Sequence, residues 1–287
     1  MKRIIKIISI LIVPLLLSGC IKMDSFEDIE IYTTAYPIEY ITTRLYGDHS
    51  IVKSIYPDGI IIDNYKLTSK QIKDYSTSEL YIFNGLTDEK YYIEKMFNHN
   101  NNLKIIDSNS SMEINNSFEE LWLDPSNFLM LAQNIRMGFK EYIENAVLEN
   151  EIDEKYDELK IEISNIDAKL KTTAESANNK TIVVSSDLFK FLEKYNINVI
   201  SLEENDNLTD KIVDDVIDLI KSNQVHYIFI KQNEDASKTI KKIQEETNVK
   251  LLEINTLSNI TEKQRSEKQD YITMMNDNIE ILKQELY

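Results

Sequence analysis

Three histidines and one cysteine are the side chains with most to offer a metal or a nucleophilic reaction, and their placement supports neither. His49 follows Gly47-Asp48 on an expected turn and reads as solvated. His99 lies in Asn98-His99-Asn100-Asn101-Asn102, a loop by composition. His226 precedes an apolar run and reads as a strand-edge residue. Histidines this dispersed make no ligand spacing. Cys20 is the only cysteine, so there is no disulfide framework and no cysteine metal site. Ser185-Ser186-Asp187 has no histidine near it in sequence to act as a base. The chain has five glycines and no G-x-G-x-x-G, P-loop or nucleophile elbow. These absences point to binding rather than catalysis, and no enzyme is expected.

The elements that would carry a binding site are organised around residues 124–178. Asp124 is a candidate N-cap and Pro125 suits the first helical position, where its missing N–H costs nothing. Apolar residues recur at helical spacing through Phe128, Leu131, Ile135, Phe139, Tyr142, Ile143 and Ala146. The pattern weakens over Glu149–Asp153, where a turn is expected. A second helix follows on Ile152, Tyr156, Leu159, Ile163, Ile166 and Leu170, with charged residues between them. A helix of about 25 residues is roughly 37 Å long, enough to run the height of two lobes.

On either side, strand-like runs alternate with helical ones. In residues 29–123 the strands are expected at 29–34, 50–55, 80–83 and 103–107. In residues 179–287 they are expected at 181–185, 198–202, 225–230 and 250–254. Helices are expected between them, including Asp187–Tyr195 and Asp270–Leu286, while Glu262–Lys268 reads as polar and irregular. Glu203–Leu208 reads as a polar loop on the rim of a cleft. This alternation predicts an α/β fold of two lobes, each a mostly parallel sheet flanked by helices, joined by a long helical spine with the ligand cleft between them.

The N-terminus reads as a leader rather than fold. Lys2, Arg3 and Lys6 precede an apolar run to Leu17, and Leu17-Ser18-Gly19-Cys20 resembles the bacterial lipobox. The expectation is a signal peptide at 1–19, acylation of Cys20 and a tether at 20–28. The protein would then sit on the outer face of the cytoplasmic membrane. Losing Lys2, Arg3 and Lys6 leaves 29 basic against 49 acidic side chains, a net charge of −20. Such a surface disfavours nucleic acid and anionic headgroups, so attachment rests on the lipid.

Six stretches, in order, carry a resemblance to a known family: Thr33-Thr34-Ala35-Tyr36-Pro37; Tyr56-Pro57-Asp58-Gly59 with Asp63-Asn64-Tyr65; Leu80 to Gly85; Leu121-Trp122-Leu123-Asp124-Pro125; Ser185-Ser186-Asp187; and Tyr271-Ile272-Thr273-Met274-Met275. Together they resemble the zinc/manganese ABC-importer solute-binding lipoproteins. The resemblance implies a monomeric extracytoplasmic receptor serving a membrane permease and its ATPase. The rival expectation is a surface lipoprotein, an adhesin or interaction protein, that keeps the fold without transport.

The resemblance also implies a metal held between the lobes by three histidines and one carboxylate, and all four positions differ here. Asp63, Glu120 and Ser186 stand where the family has histidine, and Lys231 stands where it has an acid. If the correspondence slips by a residue or two, Glu119, Asp124 or Asp187 takes the place. Zinc favours imidazole and thiolate. Asp63 and Glu120 offer oxygen for a harder divalent cation, the one cofactor the sequence leaves open. Lys231 opposes it, since two like charges 4 Å apart repel by about 4 kcal/mol at an effective dielectric near 20. Lys231 is therefore expected to replace the metal by pairing with Asp63 and Glu120 across the lobes. The cleft is then open to an organic solute, locked shut, or empty.

Overall fold

The computed structural model describes residues 26–85, 89–114 and 117–287. The expected leader, Cys20 and most of the tether lie outside the described residues. Two four-stranded sheets form, both wholly parallel. The first holds β1 (Ile29–Thr33), β2 (Ser50–Ser54), β3 (Leu80–Phe83) and β4 (Lys104–Asp107) in the order β2-β1-β3-β4. The second holds β5 (Thr181–Val184), β6 (Asn198–Ser201), β7 (Tyr227–Lys231) and β8 (Lys250–Ile254) in the order β6-β5-β7-β8. The two lobes thus repeat one topology without repeating a sequence. β3 is buried at all four positions because helices cover both faces, which is what an unalternating apolar run requires.

Around the sheets lie α1 (Tyr36–Tyr46), α2 (Ser69–Tyr75), α3 (Glu89–His99), the short α4 (Glu120–Leu123), α5 (Pro125–Tyr142), α6 (Ala146–Glu175), α7 (Asp210–Lys221), α8 (Lys238–Thr247), α9 (Glu262–Ser266) and α10 (Tyr271–Leu286). Asp124 caps α5, its carboxylate accepting from the Ser126 N–H. α6 spans 30 residues, about 45 Å at 1.5 Å per residue. Its buried stripe of Leu148, Ile152, Tyr156, Leu159, Ile163, Ile166 and Leu170 keeps three- and four-residue steps throughout. Arg44 grips Glu162 with two hydrogen bonds at the first-lobe side, and Lys169 reaches Glu280 of α10 on the other. One apolar core runs through the inner faces of both lobes and the spine, with a smaller core on the far face of each sheet. Among the described residues no helix is long and apolar enough to cross a membrane.

Three local expectations are corrected. The helical break falls at 143–145, where Asn145 caps α6 and accepts from the Val147 N–H. Glu149–Asp153 is helix, because its acidic run is a solvated face rather than a turn. Residues 187–195 form a 3₁₀ segment kinked at Phe189. Thr261 and Gln264 exchange hydrogen bonds in a capping box that starts α9 inside the stretch read as irregular.

Asp153 ties α5 to α6, accepting from Arg136 at 2.7 Å and Lys140 at 2.8 Å. These bonds, Arg136's first, hold its carboxyl below the usual range. The stabilisation is present above the unfolded pKa near 4 and lost as pH falls through the folded one. Asp153→Asn should therefore lose stability at pH 7 in urea melts, and the gap from the parent should close as pH falls through the lowered pKa of folded Asp153.

Gly138, inside α5, lets β4 approach. A Cβ there would lie 2.6, 2.7 and 2.8 Å from three side-chain carbons of buried Ile106. Helix preference favours Gly138→Ala by about 1 kcal/mol, but overpacking costs about 1–3 kcal/mol. Thermal melts should show a net loss, with the sign reversed in an Ile106→Ala background.

Candidate functional site

The carboxyl ends of both sheets open onto one cleft of about 400 Å3 between the lobes. Its floor is pinned by the segment that follows β8. The Tyr36 N–H donates to the Ser258 carbonyl at 3.0 Å and the Gly59 N–H to that of Ile260 at 2.8 Å. Gly59 has φ +79°, which the tight Pro57-Asp58-Gly59 turn requires. The Asn259 side chain donates to the carbonyls of Pro57 and Ile60, and the Trp122 indole N–H donates to that of Thr256 at 2.8 Å. Behind the cleft lining, Arg265 of α9 ties its segment to the first lobe with two hydrogen bonds to Glu39 and two to Asp58. These acids raise the guanidinium's pKa, with the Asp58 hydrogen bond contributing most.

Of the four residues singled out from the sequence, the cleft brings three together. Asp63 lies on the 3₁₀ turn Ile62–Asn64, Ser186 follows β5, and Lys231 ends β7. The Ser186 Oγ is buried and finds no hydrogen-bond partner. Glu120 does not line the cleft; its neighbour Glu119 does. The expected pairing of Lys231 with Asp63 and Glu120 is corrected accordingly. The Lys231 Nζ donates to Glu119 Oε1 at 2.9 Å, across the lobes, and lies 3.8 Å from Glu234 Oε1. Glu119 directly precedes α4 and Glu120 begins it, and successive helical residues point about 100° apart. One residue therefore decides which acid faces the cleft.

Both members of the pair are mostly shielded, Lys231 being 20% and Glu119 16% exposed at the side chain. Burial pulls the Lys231 pKa down. The charge and hydrogen bond of Glu119, then Glu234 and Glu203, outweigh it, and the pKa lies above that of an ordinary lysine. Lys231 is an ammonium at any physiological pH. Glu203, on the loop expected to form the rim, also lines the cleft and accepts from the Asp187 N–H at 2.9 Å.

The donors present do not fit a zinc site. Among the described residues no group of three or more His, Cys, Asp or Glu is arranged to hold a metal ion. The histidines serve elsewhere. His49, expected to be solvated, faces Glu151 at 3.0 Å, and His226 faces buried Glu285 at 3.3 Å. Sequence reading missed Glu234 and Arg265. The capping box of α9 was the available signal for Arg265, and nothing local marks Glu234.

The sequence profile for the zinc-uptake complex component A periplasmic family (ZnuA) matches residues 31–285. The zinc-binding protein AdcA of Streptococcus pyogenes serotype M6 is 23% identical over 289 residues, 89% of this chain and 55% of its own length. The chain thus spans about half the length of these curated relatives. The iron-binding protein YfeA of Yersinia pestis is 24% identical over 282 residues, 90% of this chain and 86% of its own. The Zn(II)-bound ZnuA-like domain of Streptococcus pneumoniae AdcA shares the fold, with a TM-score of 0.73 at 19% identity over 90% of this chain and 99% of that domain. With the profile matched over 255 residues, the chain belongs to the ZnuA family of periplasmic zinc-uptake binding proteins, a family of solute receptors and not of enzymes.

Proposed function

We propose that this chain is the lipid-anchored extracytoplasmic receptor of an ABC importer, and that its cleft has exchanged the family's metal for an internal cation. Cys20 is the acylated residue, 20–28 the tether, 29–123 and 179–287 the two lobes, and 124–178 the connecting helices. The receptor works as a monomer and hands its solute to a permease driven by an ATPase. The observation that carries the reading is the Lys231–Glu119 pair across the lobes at 2.9 Å. A lysine ammonium there stands where a metal would stand and repels a divalent ion seeking Glu119 as a ligand. Asp63, Ser186 and Glu119 lack the imidazoles that zinc favours. The open cleft of about 400 Å3 supports a solute receptor over a protein that works through surface contacts alone. The core shared between the lobes supports small lobe movements on binding, since wide opening would split it.

The test is calorimetric titration of purified mature protein with Zn2+ and with Mn2+, alongside elemental analysis of the untreated sample. The expected result is no stoichiometric metal and no tight uptake. Tight uptake that survives His→Ala changes at His49, His99 and His226 but is lost in Asp63→Ala would overturn the reading.

A further inference from the structure

Both walls of the cleft carry acids, and the first lobe adds an exposed apolar surface to its own. The first lobe supplies Ile61, Ile114 and Phe118, which stand 45%, 40% and 44% exposed, together with Trp122. Large apolar side chains left open in one concave place mark a surface that something covers. The second lobe supplies polar groups: Glu203, Lys231, Glu234, Asn255 and Asn259. A volume of about 400 Å3 exceeds what one ion needs and falls in the range of roughly 300–1,000 Å3 typical of small organic ligands.

Charge narrows the choice. Among the described lining residues Lys231 is the only basic side chain, against Asp63, Glu89, Glu119, Glu203 and Glu234. Five acids and one base give a formal charge of −4. Glu89 is buried, with its charge met by the N–H groups of Asn84 and Gly85 at 3.1 and 2.9 Å. Lys231 is committed to Glu119 and Glu234, so it has little to offer an anion. What reaches into the open space is net negative, and low-dielectric walls focus that field.

Resting on the receptor reading above, we propose that the cargo is an organic ammonium ion with an apolar body. Its ammonium sits in the field of Asp63, Glu203 and Glu234, and its body lies against Ile61, Phe118 and Trp122. Lys231 neutralises Glu119 and so keeps the lobes together without competing for the ligand. A metal ion leaves the apolar wall unused, and a carboxylate ligand faces the acids.

Trp122 is the chain's only tryptophan, so its emission reports occupancy of the cleft. The probe is hexylamine, with hexanoate and hexanol as matched anionic and neutral controls, followed by Trp122 emission and calorimetry. The expected result is saturable binding of hexylamine, weakened by salt, with no comparable response to hexanoate. Asp63→Asn and Glu203→Gln, each verified as folded by thermal melting, should each weaken it about tenfold, one charge-assisted hydrogen bond's worth. An equal or stronger response to hexanoate, or unchanged affinity in both variants, would overturn the proposal. Zn2+ and Mn2+ titrated into the same sample separate the two failures. Silence from metals and amine together sinks this inference and leaves the receptor reading standing, whereas stoichiometric metal uptake at the cleft sinks both this inference and the exchange of the metal for Lys231.

Discussion

A Lys231→Asp variant is expected to take up Mn2+ or Zn2+ that the parent chain refuses. In the parent, the ammonium sits 2.9 Å from Glu119 and 3.8 Å from Glu234 and uses their charge internally. An incoming divalent ion near those acids would meet Lys231 at contact distance. At about 4 Å and an effective dielectric near 20, each unit charge of that ion is opposed by roughly 4 kcal/mol. Every 1.4 kcal/mol is a factor of ten, so removing the ammonium is worth about a thousandfold or more in affinity. Aspartate also adds a ligand oxygen beside Glu119 and Glu234. Lys231→Met removes the repulsion without adding the ligand and should fall between the two. It should also cost stability, because Glu119 is only 16% exposed and would lose its partner. A shielded charge left unpaired costs about 1–3 kcal/mol or more. Calorimetry with Mn2+ across the three proteins decides the matter. Equal behaviour of all three would mean that Lys231 does not govern the cleft's response to cations.

Much of the fold was readable because its signals are local. Strand runs such as Leu80–Phe83, caps such as Thr68, Thr209 and Asp270, and the stripe of α6 each declare themselves within a few residues. The errors were local too. Asn145 as a cap was overlooked because the acidic run after it resembled a turn more than a helix face. The kink at Phe189 left no trace in the sequence, since a 3₁₀ segment and an α-helix bury similar residues. The site was readable only in outline. Asp63, Ser186 and Lys231 follow strands at the sheet ends that build the cleft, so order along the chain brought them together. Which of two adjacent acids meets Lys231 depends on the rotation of one helical residue, and composition does not encode that. The clamp of Arg265 on Glu39 joins residues 226 apart and depends on how the lobes dock. No local pattern announces such a contact.

The hub beneath the cleft should dominate stability. Tyr271 is fully buried. Its ring stacks on Phe128 with centroids 4.1 Å apart and on Tyr40 at 5.6 Å, and its hydroxyl donates to the Trp122 carbonyl. Burial, first, and then the nearby Tyr40 and Asp124 raise its pKa well above that of a free phenol, so it remains a donor. The indole of Trp122 in turn donates to the Thr256 carbonyl. One ring therefore links α1, α5, α10 and the segment that pins the lobes. Tyr271→Phe keeps the stacking and strands one buried carbonyl, a loss of about 1–3 kcal/mol. Tyr271→Ala also opens a cavity the size of the ring, and aromatic truncations in a core cost about 3–5 kcal/mol. For a chain of this size each 1 kcal/mol moves the melting temperature by roughly 2–4 °C, so the alanine variant should melt some 10 °C lower or more. Its Trp122 emission should shift to the red as water reaches the indole, while the phenylalanine variant's stays close to the parent's. An alanine variant that melts within about 2 °C of the parent would show that the lobes are held by the peripheral ion pairs instead. Arg265→Ala would then be the more damaging change. The geometry predicts the reverse order, because Arg265 is 45% exposed at its side chain while Tyr271 is wholly enclosed.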